Sequence, residues 1–188
     1  IRTIHPGVDP ALFPAADLTR RPRVIGFVSG ETRLYDRLTP RETVRYFARL
    51  YGLDDGAIAR RTDDLFGRFG LGPYADTLVQ RLSTGTRQKV SLARALIHDP
   101  PVLIVDEPTT GLDVLVARTV ADLLADCRRE GKTILLSTHI LPEVSQTCSR
   151  VVIINKGRVV AEDSPENLPH RLRGGGAVFH VKQLLACG

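Results

Sequence analysis

The chain has 188 residues, 43% of them apolar and 25% charged, ordinary proportions for a globular protein that buries one core. They exclude a disordered chain, a collagen-like chain and a disulfide-stapled miniprotein, and no apolar run approaches the roughly 18 residues that a membrane-spanning helix needs. Twenty-six basic against 21 acidic residues leave a net charge of +5, but 22 of the basic residues are arginines scattered without aromatic interleaving, which reads as solvated surface and not as a specific nucleic-acid patch.

Residues 1–17 lack the basic start and apolar stretch of a signal peptide. Cys127, Cys148 and Cys187 are an odd number without metal-ligand spacing, as expected of thiols in a reducing compartment. The chain starts at Ile1 and contains no methionine, so a portion of a longer reading frame is expected.

Residues 1–23 are weakly patterned and carry no firm assignment. Val24-Ile25-Gly26-Phe27-Val28 predicts a short buried strand ended by the Ser29-Gly30 turn. Thr39, Pro40 and Glu42 spell a helix start, with Thr39 as N-cap, Pro40 in the first helical position and Glu42 closing a capping box. Val44, Phe47 and Tyr51 then form the predicted inward face, and Gly52 stops the helix. Helices are also predicted over 58–69 and 88–97, so residues 39–99 form a mostly helical block.

Beyond it strand and helix alternate. Val102-Leu103-Ile104-Val105 is a continuous apolar strand of the kind covered on both faces. Leu112, Val116, Val120, Leu123, Leu124 and Cys127 make the stripe of an amphipathic helix that Gly131 ends. Residues 133–136 predict a second buried strand and 141–148 a short helix. Residues 151–154 and 158–161, joined by Asn155-Lys156-Gly157, predict a hairpin. Ser164-Pro165 opens a last short helix, and an unstructured tail is expected over 173–188. The alternation predicts an α/β layered fold with a mainly parallel sheet.

The chemistry concentrates at strand ends. Asp106 and Glu107 follow the apolar run 102–105 directly, which places two carboxylates at the C-terminal edge of a buried strand, where open α/β sheets bind ligands. Adjacent carboxylates repel, and a cation with a reacting water makes such a pair tolerable; an acidic strand-to-loop turn is the plain alternative. Ser83-Thr84-Gly85-Thr86 precedes a helix whose unpaired N–H groups and dipole favour phosphate, although a simple N-cap explains the same residues. Thr109-Thr110-Gly111-Leu112-Asp113 is a tight turn into the next helix. Ser137-Thr138-His139 ends the following strand, so His139 is expected beside the acids.

In this order the pieces resemble the ATP-binding subunit of ABC transporters, in the bacterial export branch that includes sodium and drug exporters. Leu82-Ser83-Thr84-Gly85-Thr86 is similar to the signature motif, residues 102–107 to Walker B, Gly111-Leu112-Asp113 to the D-loop and His139 to the H-loop. The resemblance covers about 24–172. It implies a P-loop NTPase-like fold in which residues 39–99 are the helical subdomain that contacts a separate transmembrane permease.

The resemblance also implies roles. Asp106 holds Mg²⁺ through water, Glu107 is base or polariser of the attacking water, and His139 contacts the γ-phosphate. Ser83 and Gly85, flanked by Thr84 and Thr86, reach the γ-phosphate of ATP held by a second subunit, and Asp113 organises the seam of that head-to-tail dimer. The implied location is the cytoplasmic face of the cell membrane, with no specific nucleic-acid partner.

Two departures stand out. The glutamine that the family carries after the strand matched by residues 24–28 falls at Gly30, followed by Glu31. No Gly-x-x-x-x-Gly-Lys-Ser/Thr phosphate loop occurs: Gly131-Lys132-Thr133 has its last three residues, but Asp126 stands in place of the first glycine, and the setting is helix-to-strand where a P-loop runs strand-to-helix. Charge-assisted hydrogen bonds are each worth roughly 1.5–3 kcal/mol, and micromolar affinity totals about 8 kcal/mol. Losing several such bonds removes most ATP binding, so the chain is expected to be inactive alone and to derive from a longer protein. Two alternatives are a soluble ABC-type ATPase acting on nucleic acid or ribosomes, and a degenerate non-catalytic chain. The first is disfavoured because no sustained heptad repeat lies between residues 30 and 81, as the nucleic-acid relatives would need, and because 188 residues cannot hold the two paired domains usual in translation-associated relatives.

Overall fold

A computed structural model describes residues 24–30, 34–140, 144–145, 147–155, 157–167 and 183–187, the last five as backbone. Three strands, β1 (Ile25–Ser29), β2 (Val102–Asp106) and β3 (Thr133–Thr138), run parallel side by side. With β4 (Arg150–Asn155), β5 (Arg158–Asp163) and β6 (Gln183–Cys187) they form a six-stranded sheet ordered β1-β2-β3-β6-β4-β5. Helices α1 (Pro40–Leu50), α2 (Asp55–Phe69) and α3 (Thr84–Leu96) lie between β1 and β2, and α4 (Val114–Arg129) connects β2 to β3. This is the expected α/β layering, with the parallel strands at the end that carries the acids.

The start of α1 is the one written in the sequence, whereas α2 and α3 begin three and four residues before the expected 58 and 88. Glu42 N–H donates to Thr39 Oγ1 at 3.2 Å and Thr39 N–H donates to Glu42 Oε2 at 2.8 Å, which completes the capping box of α1. Asp54, Ser83 and Asp113 cap α2, α3 and α4 by the single side-chain bond, accepting from the backbone N–H of Ala57, Thr86 and Val116. The inward face of α1 differs from the expected one. Pro40, Thr43, Val44 and Ala48 are buried, whereas Phe47 sits half-buried under the Arg94 guanidinium and Tyr51 is exposed, stacked on His98. Those two rings pack instead on the Arg94 cation of α3 and on the His98 imidazole just beyond its end.

On one face of the parallel strands Val28, Leu103, Val105, Ile134 and Leu136 are buried. Gly26 makes that close packing possible: a Cβ there would stand 2.8 Å from the Ala95 carbonyl oxygen of α3. The opposite face is half-open among the described residues, with Ile25 49% and Phe27 55% exposed and Val102 and Ile104 intermediate. The continuous apolar run of β2 is therefore covered fully on one side only.

The β4–β5 hairpin forms as expected, with a register shift between Ile153 and Ile154. Val144, Ser145 and Thr147 are helical, while 141–143 and 146 lie outside the described residues; Pro165–Asn167 form a turn where a helix start was expected. The expectation of an unstructured tail over 173–188 fails at β6, which pairs antiparallel with both β3 and β4. Leu184-Leu185-Ala186 is a short apolar run, and a strand there satisfies two rows of backbone groups that β3 and β4 would otherwise leave open. The remainder of that stretch and residues 1–23 lie outside the described residues.

Candidate functional site

The three parallel strands end level, with Ser29, Asp106 and Ser137 paired in register. That edge brings together three of the residues singled out in the sequence: Asp106, Glu107 and His139. The chain leaves β2 through an unusual step, since Glu107 has φ +47°, in the left-handed region that few non-glycine residues adopt. Its N–H donates to the Ser137 carbonyl at 2.8 Å, which extends the β2–β3 ladder by one bond and fixes the step.

The two adjacent carboxylates then part company. Asp106 Oδ1 accepts from the Ser137 hydroxyl. Glu107 turns toward the next strand end, where His139 Nδ1 lies 3.0 Å from Oε1 and 2.8 Å from Oε2, and Thr110 Oγ1 donates to Oε2 at 2.9 Å. Separate partners relieve the repulsion expected of neighbouring acids. The Glu107 side chain is 30% exposed and His139 52% exposed, so a ligand can reach both.

Among the described residues no group of three or more His, Cys, Asp or Glu side chains converges to hold an ion by itself. One carboxylate with a hydroxyl beside it, Asp106 and Ser137, is a hard-oxygen donor set suited to Mg²⁺, which keeps several waters and takes one or two carboxylates plus phosphate oxygens.

Gly30 has a structural reason. Its N–H donates to the Asp106 carbonyl at 2.8 Å, and a Cβ on it would stand 2.6 Å from the Glu107 carbonyl oxygen. A glutamine cannot occupy position 30 on this backbone; the glycine is what lets β1 approach the acidic loop.

Ser83, Thr84, Gly85 and Thr86 form a second group, with Asp113. Ser83 Oγ accepts from Thr86 N–H at 3.2 Å and lies 2.9 Å from Thr86 Oγ1. Arg87 braces the preceding loop through the carbonyls of Val79 and Gln80, at 3.1 and 2.8 Å. Gly85 is buried against α4, where a Cβ would meet Val116 Cγ1 at 2.5 Å. Val116 N–H in turn donates to Asp113 Oδ1 at 2.9 Å. Packing of α3 on α4 thus ties the first turns of two helices together, and Thr84 remains exposed at that corner.

The decoy Gly131-Lys132-Thr133 has other work. The Lys132 ammonium pairs with the Asp99 carboxylate, Arg61 Nη2 lies 3.3 Å from the same oxygen, and Thr133 opens β3. Burial pushes the Asp99 carboxyl up, but the hydrogen bond and charge of Lys132, then Arg61, hold it below its ordinary value. Beside it His98, with both ring nitrogens buried and unpaired, is pushed down to about 4, chiefly by burial and then by the Arg61 charge.

Two contacts at the acids had escaped the sequence reading. The Ser137–Asp106 bond crosses two strands 31 positions apart and has no local signal. The Thr110–Glu107 bond is local, and a hydroxyl three residues beyond the glutamate in a Pro-containing turn could have been read as reaching back.

Comparison with known proteins agrees with this geometry. The family described as ABC transporter matches residues 7–110. The ABC transporter ATP-binding protein NatA of Bacillus subtilis (strain 168) is 47% identical over 139 residues, 74% of this chain and 56% of that protein. The Nod factor export ATP-binding protein I of Cupriavidus metallidurans is 41% identical over 138 residues, 71% of this chain and 46% of that protein. The chain therefore spans about half the length of these curated relatives. A solved ATP-binding subunit of an ABC transporter superimposes with a TM-score of 0.69 at 32% identity, over 82% of this chain and 65% of that one. Motif order, strand-edge chemistry and a family match over more than half its length agree, and the chain belongs to the ABC transporter family, as an ATP-binding domain.

Proposed function

We propose that this chain carries the hydrolytic half of an ATP-driven export subunit, the part that acts on the γ-phosphate and the attacking water. The observation that carries the reading is the Glu107 carboxylate held at 2.8 Å by His139 at the open edge of the parallel strands. Glu107 polarises the attacking water or takes its proton, and His139 keeps the carboxylate aimed while contacting the γ-phosphate. Asp106, oriented by the Ser137 hydroxyl, holds Mg²⁺ through water. Mg²⁺ bound with ATP supplies neutralisation of charge on the β- and γ-phosphates. The rate enhancement is then mostly positioning and charge stabilisation.

Ser83, Thr84, Gly85 and Thr86 offer the first-turn N–H groups of α3 to ATP held by a second subunit, and Asp113 keeps the adjoining end of α4 at the seam. The permease docks on the helical block, where Tyr46, Leu50 and Tyr51 are exposed. Among the described residues no helix is long and apolar enough to cross a membrane. The subunit works on the cytoplasmic face against that separate permease, and export relatives such as the Nod factor protein support this direction.

The 188 residues contain no Gly-x-x-x-x-Gly-Lys-Ser/Thr, so by themselves they bind ATP weakly, and turnover needs a phosphate loop from elsewhere. Fusing the strand–loop–helix segment of the Bacillus subtilis relative to the N-terminus tests the arrangement by light scattering. The fusion is expected to dimerise only with ATP, and Ser83→Arg is expected to abolish that dimer. A dimer that ignores both ATP and Ser83→Arg contradicts the proposal.

A further inference from the structure

We propose that Thr110 is a positioning residue whose hydroxyl holds the Glu107 carboxylate in the orientation that meets His139 Nδ1. The inference deepens the reading of Glu107 given above and rests on it for its functional meaning. Glutamate has three side-chain torsions, and a side chain 30% exposed is free to sample several rotamers unless something pins it. Here the backbone end is pinned by the bond from Glu107 N–H to the Ser137 carbonyl. The carboxylate end has two partners, Thr110 Oγ1 at 2.9 Å and the His139 ring. Of the two, the His139 ring is 52% exposed.

Thr110 is the firmer one. It closes a turn in which Thr109 is buried, Thr110 N–H points at the Glu107 carbonyl at 3.4 Å and Gly111 takes φ +76°. Threonine is stiff about χ1, so the turn aims its hydroxyl. An ionised carboxylate only accepts, so the hydroxyl must donate, which leaves the adjacent His139 nitrogen as the other donor. The hydrogen bond at one imidazole nitrogen decides which tautomer a neutral histidine adopts. A carboxylate held by Thr110 therefore selects Nδ1–H at His139 in the nucleotide-free chain, and a γ-phosphate oxygen, which only accepts, is then met by the ring carrying a proton on both nitrogens. Serine keeps the donor at position 110 and valine keeps the shape without it.

The test is the tautomer of His139 in the intact 188-residue chain. Long-range ¹H–¹⁵N spectra of the imidazoles would be recorded at about pH 8.5, well above an ordinary histidine pKa. The His139 signals are assigned by their loss in His139→Gln. Wild type and Thr110→Ser are expected to show the Nδ1–H form, and Thr110→Val to lose it in favour of the Nε2–H form. Thr110→Ala, measured alongside, repeats the loss without the β-branch should the valine disturb the turn. Nδ1–H retained in both Val and Ala variants, its loss in Thr110→Ser, or an Nε2–H wild type each overturns the proposal. The readout needs no nucleotide: if ATP-dependent dimerisation fails while the tautomer pattern holds, the functional reading falls and the role of Thr110 stands.

Discussion

Replacing Gly85 by alanine separates packing from ligand binding at the signature turn. Position 85 lies in the first turn of α3 with an ordinary helical φ, so on an open helix the change would gain up to about 1 kcal/mol in propensity. Here the added Cβ would stand 2.5 Å from Val116 Cγ1 and 3.3 Å from Val116 Cβ and Cγ2. Val116 cannot simply retreat, because its N–H holds the Asp113 cap at 2.9 Å. Overpacking of this kind costs about 1–3 kcal/mol, which leaves a net loss of about 1–2 kcal/mol after the partial propensity gain. With a urea m-value of about 2 kcal/mol/M the midpoint falls by roughly 0.5–1 M. Trimming the neighbour in the Gly85→Ala/Val116→Ala double variant removes the clash, so the cycle is expected to show a coupling of about 1 kcal/mol or more. A Gly85→Ala protein as stable as wild type, or an undiminished penalty in the Val116→Ala background, refutes the packing argument and leaves close approach of a ligand as the glycine's purpose.

Other consequences follow from the buried charges. His98, at about 4 when folded against 6.5 for an ordinary histidine, leaves the unfolded chain holding more protons between those values. Stability should therefore fall as pH drops from about 6.5 toward 4, and His98→Phe, which keeps the stack on Tyr51, should flatten urea midpoints across that window. An unchanged slope would contradict it. Asp99 adds its own loss only below its ordinary value of 3.8. Asp99→Asn keeps a residue tolerant of the φ of +55° while removing the charge beside half-buried Lys132, so it should cost about 1–3 kcal/mol in chemical unfolding, with Asp99→Asn/Lys132→Met recovering part. Equal stability would mean that the triad contributes nothing. Binding to duplex DNA or RNA should be weak and vanish between about 50 and 200 mM salt; tight, salt-resistant RNA binding would promote a ribosome-directed role instead.

What the sequence made legible was local or periodic. The box of Thr39 and Glu42 and the cap at Ser83 are read within four residues, and the acids after an apolar run announce a strand end. His139 could be placed beside them because consecutive parallel strands end on one edge. What escaped depends on partners far along the chain. The need for glycine at 30 comes from the Glu107 carbonyl, and the burial of Gly85 comes from Val116 on another helix. The turning of Phe47 and Tyr51 away from the core goes with their contacts to Arg94 of α3 and to His98 just after it. β6 escaped because four apolar residues after Gln183 have no periodicity to set them apart, and only the open backbone groups of β3 and β4 give them a place.

Steady-state ATP hydrolysis by the P-loop fusion, with and without Glu107→Gln, tests the central claim most directly. General-base groups contribute typically about 10²–10⁴-fold. The account predicts Mg²⁺-dependent turnover in the fusion, little in the 188-residue chain alone, and a loss of at least about 10²-fold in Glu107→Gln with its ATP-dependent dimer retained. Turnover that survives Glu107→Gln undiminished would contradict it.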